Sequence, residues 1–177
     1  ALLLAALFGA TPPALAGQTT AGVDGNRAMA HARKAVSFGP RPSGSPALES
    51  LRHYIAGELG KDGLTVERQS FTAHTPNGDV PMVNLIAKIP GNPSRRILLT
   101  GHYDTKRFAE FKFVGANDAG SSTALLLELA TVLSKRQARP GNPEIWIVFF
   151  DGEEAVGDWS ETDSLYGSRY LASQMAR

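Results

Sequence analysis

The chain has 177 residues, 42% apolar and 20% charged, a size and composition that suit one ordinary folded domain with a hydrophobic core. Its net charge of +1, with Lys and Arg scattered and no aromatic platform between them, sets nucleic acid aside as a partner and gives no pull toward an anionic membrane. There is no cysteine, which excludes disulfides, thiolate metal sites, cysteine nucleophiles and a lipoprotein anchor, so any metal must be held by His, Asp and Glu.

Residues 1–17 read ALLLAALFGATPPALAG. A short apolar run, the pair Pro12-Pro13 and then Ala14-Leu15-Ala16 form the apolar region and cleavage site of a secretory signal peptide, too short to span a bilayer. Residues 1–16 are therefore expected to be removed, the product to reach the periplasm or the medium, and no stable membrane anchor to remain. The competing reading is a buried N-terminal helix, which the proline pair would break where it needs to pack. No Met or basic segment precedes the run, so the sequence is expected to be cut at its start. Residues 17–25 are polar and Gly-containing and are read as a flexible linker.

Asn26 to Phe38 carries helix formers with an apolar face through Ala28, Ala32, Ala35 and Val36. The cluster Phe38 to Ser45 (FGPRPSGS) is a stop and turn. Ser45 then caps a second helix with Pro46 in its first turn and Leu48, Leu51, Ile55 and Leu59 at helical spacing. A strand is expected from Leu64 through Phe71, a turn at Thr75-Pro76-Asn77-Gly78 and a second strand over Met82 to Ile89. Arg96 to Thr100 (RILLT) and Ile145 to Phe150 (IWIVFF) are nearly continuous apolar runs, which suit central strands buried on both faces. The Ala/Leu-rich stretch Gly120 to Lys135 between them is a helix, and Ser164 to Met175 is another. Strand, helix, strand in this order predicts a parallel βαβ unit inside an α/β fold whose central sheet is mixed, largely parallel and flanked by helices.

Sites in open α/β sheets form beyond the carboxyl ends of the strands. The first apolar run ends in Gly101-His102-Tyr103-Asp104 and the second in Asp151-Gly152-Glu153-Glu154, while Gly115-Ala116-Asn117-Asp118-Ala119-Gly120 opens the intervening helix. His102 offers an imidazole nitrogen suited to zinc, and Asp104, two residues on along an extended chain, is placed to bind the other nitrogen and fix the ring. Asp118 lies beside a helix N-terminus, where negative charge is tolerated. Glu153 and Glu154 are adjacent and point apart, so one can ligate a metal while the other carries protons. Taken singly, an Asp-Gly-Glu-Glu is more often a solvated turn and a lone His more often structural. Three such clusters at successive element ends make a metal site a serious candidate.

In their order, His-x-Asp, Asn-Asp-Ala-Gly and Glu-Glu after an apolar strand, these residues resemble the co-catalytic zinc aminopeptidases. More closely still, residues 38–177 resemble the glutaminyl-peptide cyclotransferases, or glutaminyl cyclases, through Arg41 to Ser45, Gly101 to Lys106, Phe113 to Asp118, and above all FFDGEEAVGDWSETDSLYGSR at 149–169. The loop Asn117-Asp118-Ala119-Gly120 is nearer the peptidase version. The resemblance implies a zinc exopeptidase-like fold, incomplete in this chain, with residues 26–177 forming the N-terminal part of one catalytic domain. It implies Asp118 and Glu154 as zinc ligands, Glu153 as catalytic acid/base, His102 at the second-metal position and Trp159 lining the substrate pocket. Without the resemblance, Trp159 reads as a half-buried aromatic under a loop. The expected substrates are peptides with a free N-terminus.

A cyclase would use one zinc and an aminopeptidase two. The family's further ligands, a His near the C-terminal end and a downstream Asp, have no counterpart after Glu154. With two carboxylates alone the segment is expected to hold zinc weakly and to be inactive by itself. A non-catalytic binding relative is the third possibility, opposed by the intact His102, Asp118, Glu153 and Glu154. His31, His53 and His74 have no place in this scheme and are expected at the surface.

Overall fold

The computed structural model describes residues 22–135 and 141–176. The leader at 1–16 and most of the linker lie outside the described residues. Helix α1 spans Gly25–Ser37 and is capped by Asp24, whose carboxylate accepts the amides of Asn26 and Arg27. Helix α2 spans Pro46–Lys61, with the Ser45 hydroxyl accepting the Leu48 amide and Pro46 at the first helical position. The proline has no N–H to leave unpaired there. Leu48, Leu51, Ile55 and Leu59 form the fully buried stripe expected from their spacing.

Strands β1 (Val66–Thr75) and β2 (Gly78–Ile89) form a hairpin through Pro76-Asn77. Strand β3 (Asn92–His102), helix α3 (Gly120–Ser134) and strand β4 (Pro143–Phe150) make the parallel βαβ unit, and helix α4 (Tyr166–Met175) closes the described chain. The sheet order is β1-β2-β4-β3. On one face, Leu85, Ala87, Ile147 and Phe149 pack with the α2 stripe and with Leu126, Leu127 and Ala130 of α3. On the other, Ile86, Val148 and Phe150 pack with Leu171 of α4.

Three details differ from the sequence expectation. The sheet is mixed, but only β3–β4 is parallel, while β1–β2 and β2–β4 are antiparallel. Apolar patterning reports which faces are buried and is silent about strand direction. Strand β4 is buried on both faces as expected, whereas β3 ends the sheet among the described residues and leaves Ile97 45% exposed. Third, His31 is buried on α1 against α2, 2.7 Å from the Tyr54 hydroxyl, and burial lowers its pKa. His53 and His74 are exposed as expected.

Candidate metal centre and active site

The carboxyl ends of the parallel strands β3 and β4 deliver three donors to one place. Ligand atoms of His102, Asp118 and Glu154 all lie within 4.8 Å of one another. His102 ends β3, Asp118 lies two residues before α3, and Glu154 stands four residues past the end of β4. The sequence expectation that the Asp118 and Glu154 carboxylates converge is therefore met in the geometry, and His102 joins them.

Asp104 occupies the place its spacing predicts. Its Oδ1 lies 3.3 Å from His102 Nδ1, which leaves Nε2 toward Asp118 Oδ1 at 2.8 Å. The same buried carboxylate accepts the backbone amides of Glu153 at 3.3 Å and Glu154 at 3.1 Å. One side chain thus ties the end of β3 to the turn after β4. Replacing Asp104 with alanine is expected to weaken zinc binding by about 10–100-fold, read by competition with a chelator. An unchanged affinity would leave Asp104 as a brace for the turn alone.

The adjacent glutamates part as expected. Glu153 turns to the N-terminus of α4, where its Oε1 accepts the Ser168 amide at 2.8 Å. Burial raises the Glu153 pKa, against the Ser168 bonds and the His102 charge. Glu154 is also raised, by burial and by Asp118 and Asp104, while His102 and the Trp159 indole pull the other way. Burial opposes a charge on His102, but Asp104, Asp118 and Glu154 outweigh it and hold its pKa at about 8. Two buried glutamates that resist ionisation, one of them beside Asp118, form an environment that a cation would relieve. One imidazole nitrogen and two carboxylate oxygens also form a donor set that suits zinc. The residues present fit that metal.

Two backbone approaches require glycine. Gly152 adopts φ +68° between Asp151 and Glu153, where a side chain would strike the Met82 sulfur. Gly115 adopts φ +52°, and a side chain there would strike the Asp118 carbonyl.

Matches to known proteins share this arrangement of elements. The model of peptidase family M28 matches residues 84–177, more than half of the sequence and all of the clustered donors. The chain belongs to peptidase family M28. It is similar to a glutaminyl-peptide cyclotransferase of Dictyostelium discoideum, 34% identical over an alignment of 153 positions that covers 75% of this chain and 42% of that protein. Among solved structures it is similar to the glutaminyl cyclase of an Acidobacteriales bacterium, with TM-score 0.82 and 38% identity, covering 95% of this chain and 57% of the other. A Zn-dependent exopeptidase from Parabacteroides distasonis superposes with TM-score 0.74 at 26% identity, covering 87% and 57%. The chain spans about half the length of the relatives it matches.

The M28 centre has supports that were not singled out from the sequence. Arg41 is fully buried, and its guanidinium donates to the carbonyls of Gly39 (2.6 Å), Val114 (2.9 Å) and Gly115 (3.3 Å). Its own backbone exchanges hydrogen bonds with Thr105, so it joins the His102–Thr105 segment to the loop that carries Asp118. Burial pushes its pKa down to about 10. Asp151, at the foot of the Glu153 turn, is buried and accepts from Ser43, Val83 and Arg52. Trp159 is 58% exposed, so it is not a half-buried aromatic under a loop, and its indole reaches Glu154.

Proposed function

We propose that the full-length protein is a zinc-dependent glutaminyl-peptide cyclotransferase, converting N-terminal Gln of peptides to pyroglutamate with release of ammonia. The observation that carries this reading is the convergence of His102, Asp118 and Glu154 beside a glutamate that turns away from them to the Ser168 amide. The similarity to glutaminyl-peptide cyclotransferases supports it.

Asp118 and Glu154 would hold the zinc, with His102 at the second-metal position, and the bound metal would act as a Lewis acid toward the γ-carbonyl of the Gln side chain. Glu153 takes the proton from the α-amine nitrogen as that nitrogen attacks the γ-carbonyl carbon. The new C–N bond closes the ring, the bond to the side-chain nitrogen breaks, and Glu153 returns the proton to the departing ammonia. Its raised pKa suits a group that must both accept and give up that proton. Asp104 keeps His102 and both glutamate amides in place, and Trp159 offers its ring to the substrate. Incubating the intact protein with a Gln-initiated peptide should release ammonia, stop with a chelator and resume with zinc. No ammonia in the presence of zinc would overturn the reading.

A second reading, an aminopeptidase that activates water and releases free N-terminal residues, is favoured by the place of His102 within the donor cluster. It requires two zinc ions per chain and liberation of amino acids other than Gln, which a metal count and a product assay separate from cyclisation.

A further inference from the structure

The segment Asp163-Ser164-Leu165-Tyr166-Gly167-Ser168-Arg169 enters the chemistry above only through the Ser168 amide, and its first residue faces elsewhere. Asp163 is 2% exposed, and both of its carboxylate oxygens bind the loop that follows Glu154. Oδ1 accepts the Val156 amide at 2.9 Å and the Tyr166 hydroxyl at 2.8 Å, and Oδ2 accepts the Gly157 amide at 2.7 Å. Lys106 holds the same stretch through the carbonyls of Ala155, at 2.7 Å, and Gly157. Ser160 closes the other end, its hydroxyl accepting the Asp163 amide at 3.0 Å and its carbonyl accepting the Ser164 hydroxyl at 3.1 Å. Residues 155–164 therefore form a pinned loop around a buried carboxylate, and Trp159 sits within it.

An aromatic ring that is 58% exposed has little packing of its own to hold it, so the backbone beneath must fix its position. We propose that Asp163 is the positioning residue that sets Trp159 in the substrate site and thereby tunes affinity for the substrate's N-terminal residue. The link to that substrate rests on the cyclase reading, whereas the pinning of the loop does not. Charge-assisted bonds from two amides and a hydroxyl to one carboxylate are strong and directional. Alanine strands all three donors. Asparagine keeps one acceptor but turns its NH₂ toward a remaining donor, so it should fail more mildly.

The test uses the intact protein labelled with fluorotryptophan, with the Trp159 fluorine resonance assigned through Trp159→Phe. In Asp163→Ala and, less strongly, Asp163→Asn, that resonance is expected to shift and broaden while that of Trp146 stays put. On a Gln-initiated peptide the alanine variant is expected to raise KM about tenfold with kcat within about threefold, the pattern of lost binding and not of lost chemistry. Tyr166→Phe removes one donor and keeps the carboxylate. It should move both readings slightly in the same direction and remains informative if the alanine variant does not fold. A Trp159 resonance unmoved in every folded variant overturns the positioning role whatever the activity does. A moved resonance with unchanged KM overturns the link to substrate affinity. A moved resonance in a protein that never cyclises Gln leaves the positioning role standing and overturns the cyclase reading.

Discussion

Replacing Glu153 with glutamine is expected to cut turnover by about 10²–10⁴-fold and to leave zinc uptake unchanged. The substitution keeps the size of the side chain and an oxygen to accept the Ser168 amide bond, so the turn after β4 has no reason to rearrange. What disappears is the capacity to take a proton from the α-amine and return it to ammonia. The loss should fall on kcat, because the uncharged amide still fills the same space beside the substrate. Zinc content separates this from damage to the centre, since His102, Asp118 and Glu154 remain. Activity within a factor of about ten of wild type would remove Glu153 from the proton-carrying role. Activity lost together with zinc would assign it to the metal instead.

The separation of Glu153 from Glu154 was legible in the sequence, because adjacent side chains leave the backbone in different directions. The His102–Asp104 contact was legible for the complementary reason, that residues two apart share a side. Asp118 followed from the helix start beside it. These relations are local, and local geometry is what residue spacing records. The direction of β2 against β4 is settled by pairing between segments about sixty residues apart, and no periodicity carries it. The same holds for His31, whose burial against Tyr54 depends on how α1 meets α2. Arg41 stood within a recognisable turn, yet its three carbonyl partners come from both that turn and residues 114–115. Trp159 acquired a functional meaning only through resemblance, because its approach to Glu154 depends on the loop pinned by Asp163.

Asp151 is the clearest case of a residue whose weight only the fold reveals, and it supports the second large prediction. Its carboxylate is fully buried and lies 2.8 Å from the Arg52 guanidinium, whose side chain is 7% exposed. Arg52 also donates to the Tyr103 hydroxyl at 2.7 Å and pairs with Glu49. Burial and then Asp104 push the Asp151 pKa up to about 6, while Val83, Ser43 and Arg52 pull it down. That value lies above the ordinary aspartate pKa of about 3.9, so the native state holds this proton more tightly than the unfolded chain. The group's contribution is therefore greatest below about pH 4 and is lost as pH rises to about 6.

Arg52→Met removes the cation that limits this loss. It is expected to cost about 3–5 kcal/mol near neutral pH, the range for a buried charge left without its partner. Without Arg52 the Asp151 pKa must climb further, so the penalty should shrink by about pH 5, where the carboxyl takes up a proton, and grow again by about pH 8. Asp151→Asn is expected to be milder at neutral pH, since it removes the group that resists charging and leaves Arg52 its bonds to Tyr103 and Glu49. Urea unfolding of both variants across that pH range reads the result. A penalty for Arg52→Met that does not vary with pH would mean that Arg52 does not set the charge on Asp151, and an asparagine variant that is the less stable of the two near neutrality would mean that attraction to Arg52 outweighs the cost of burying that charge.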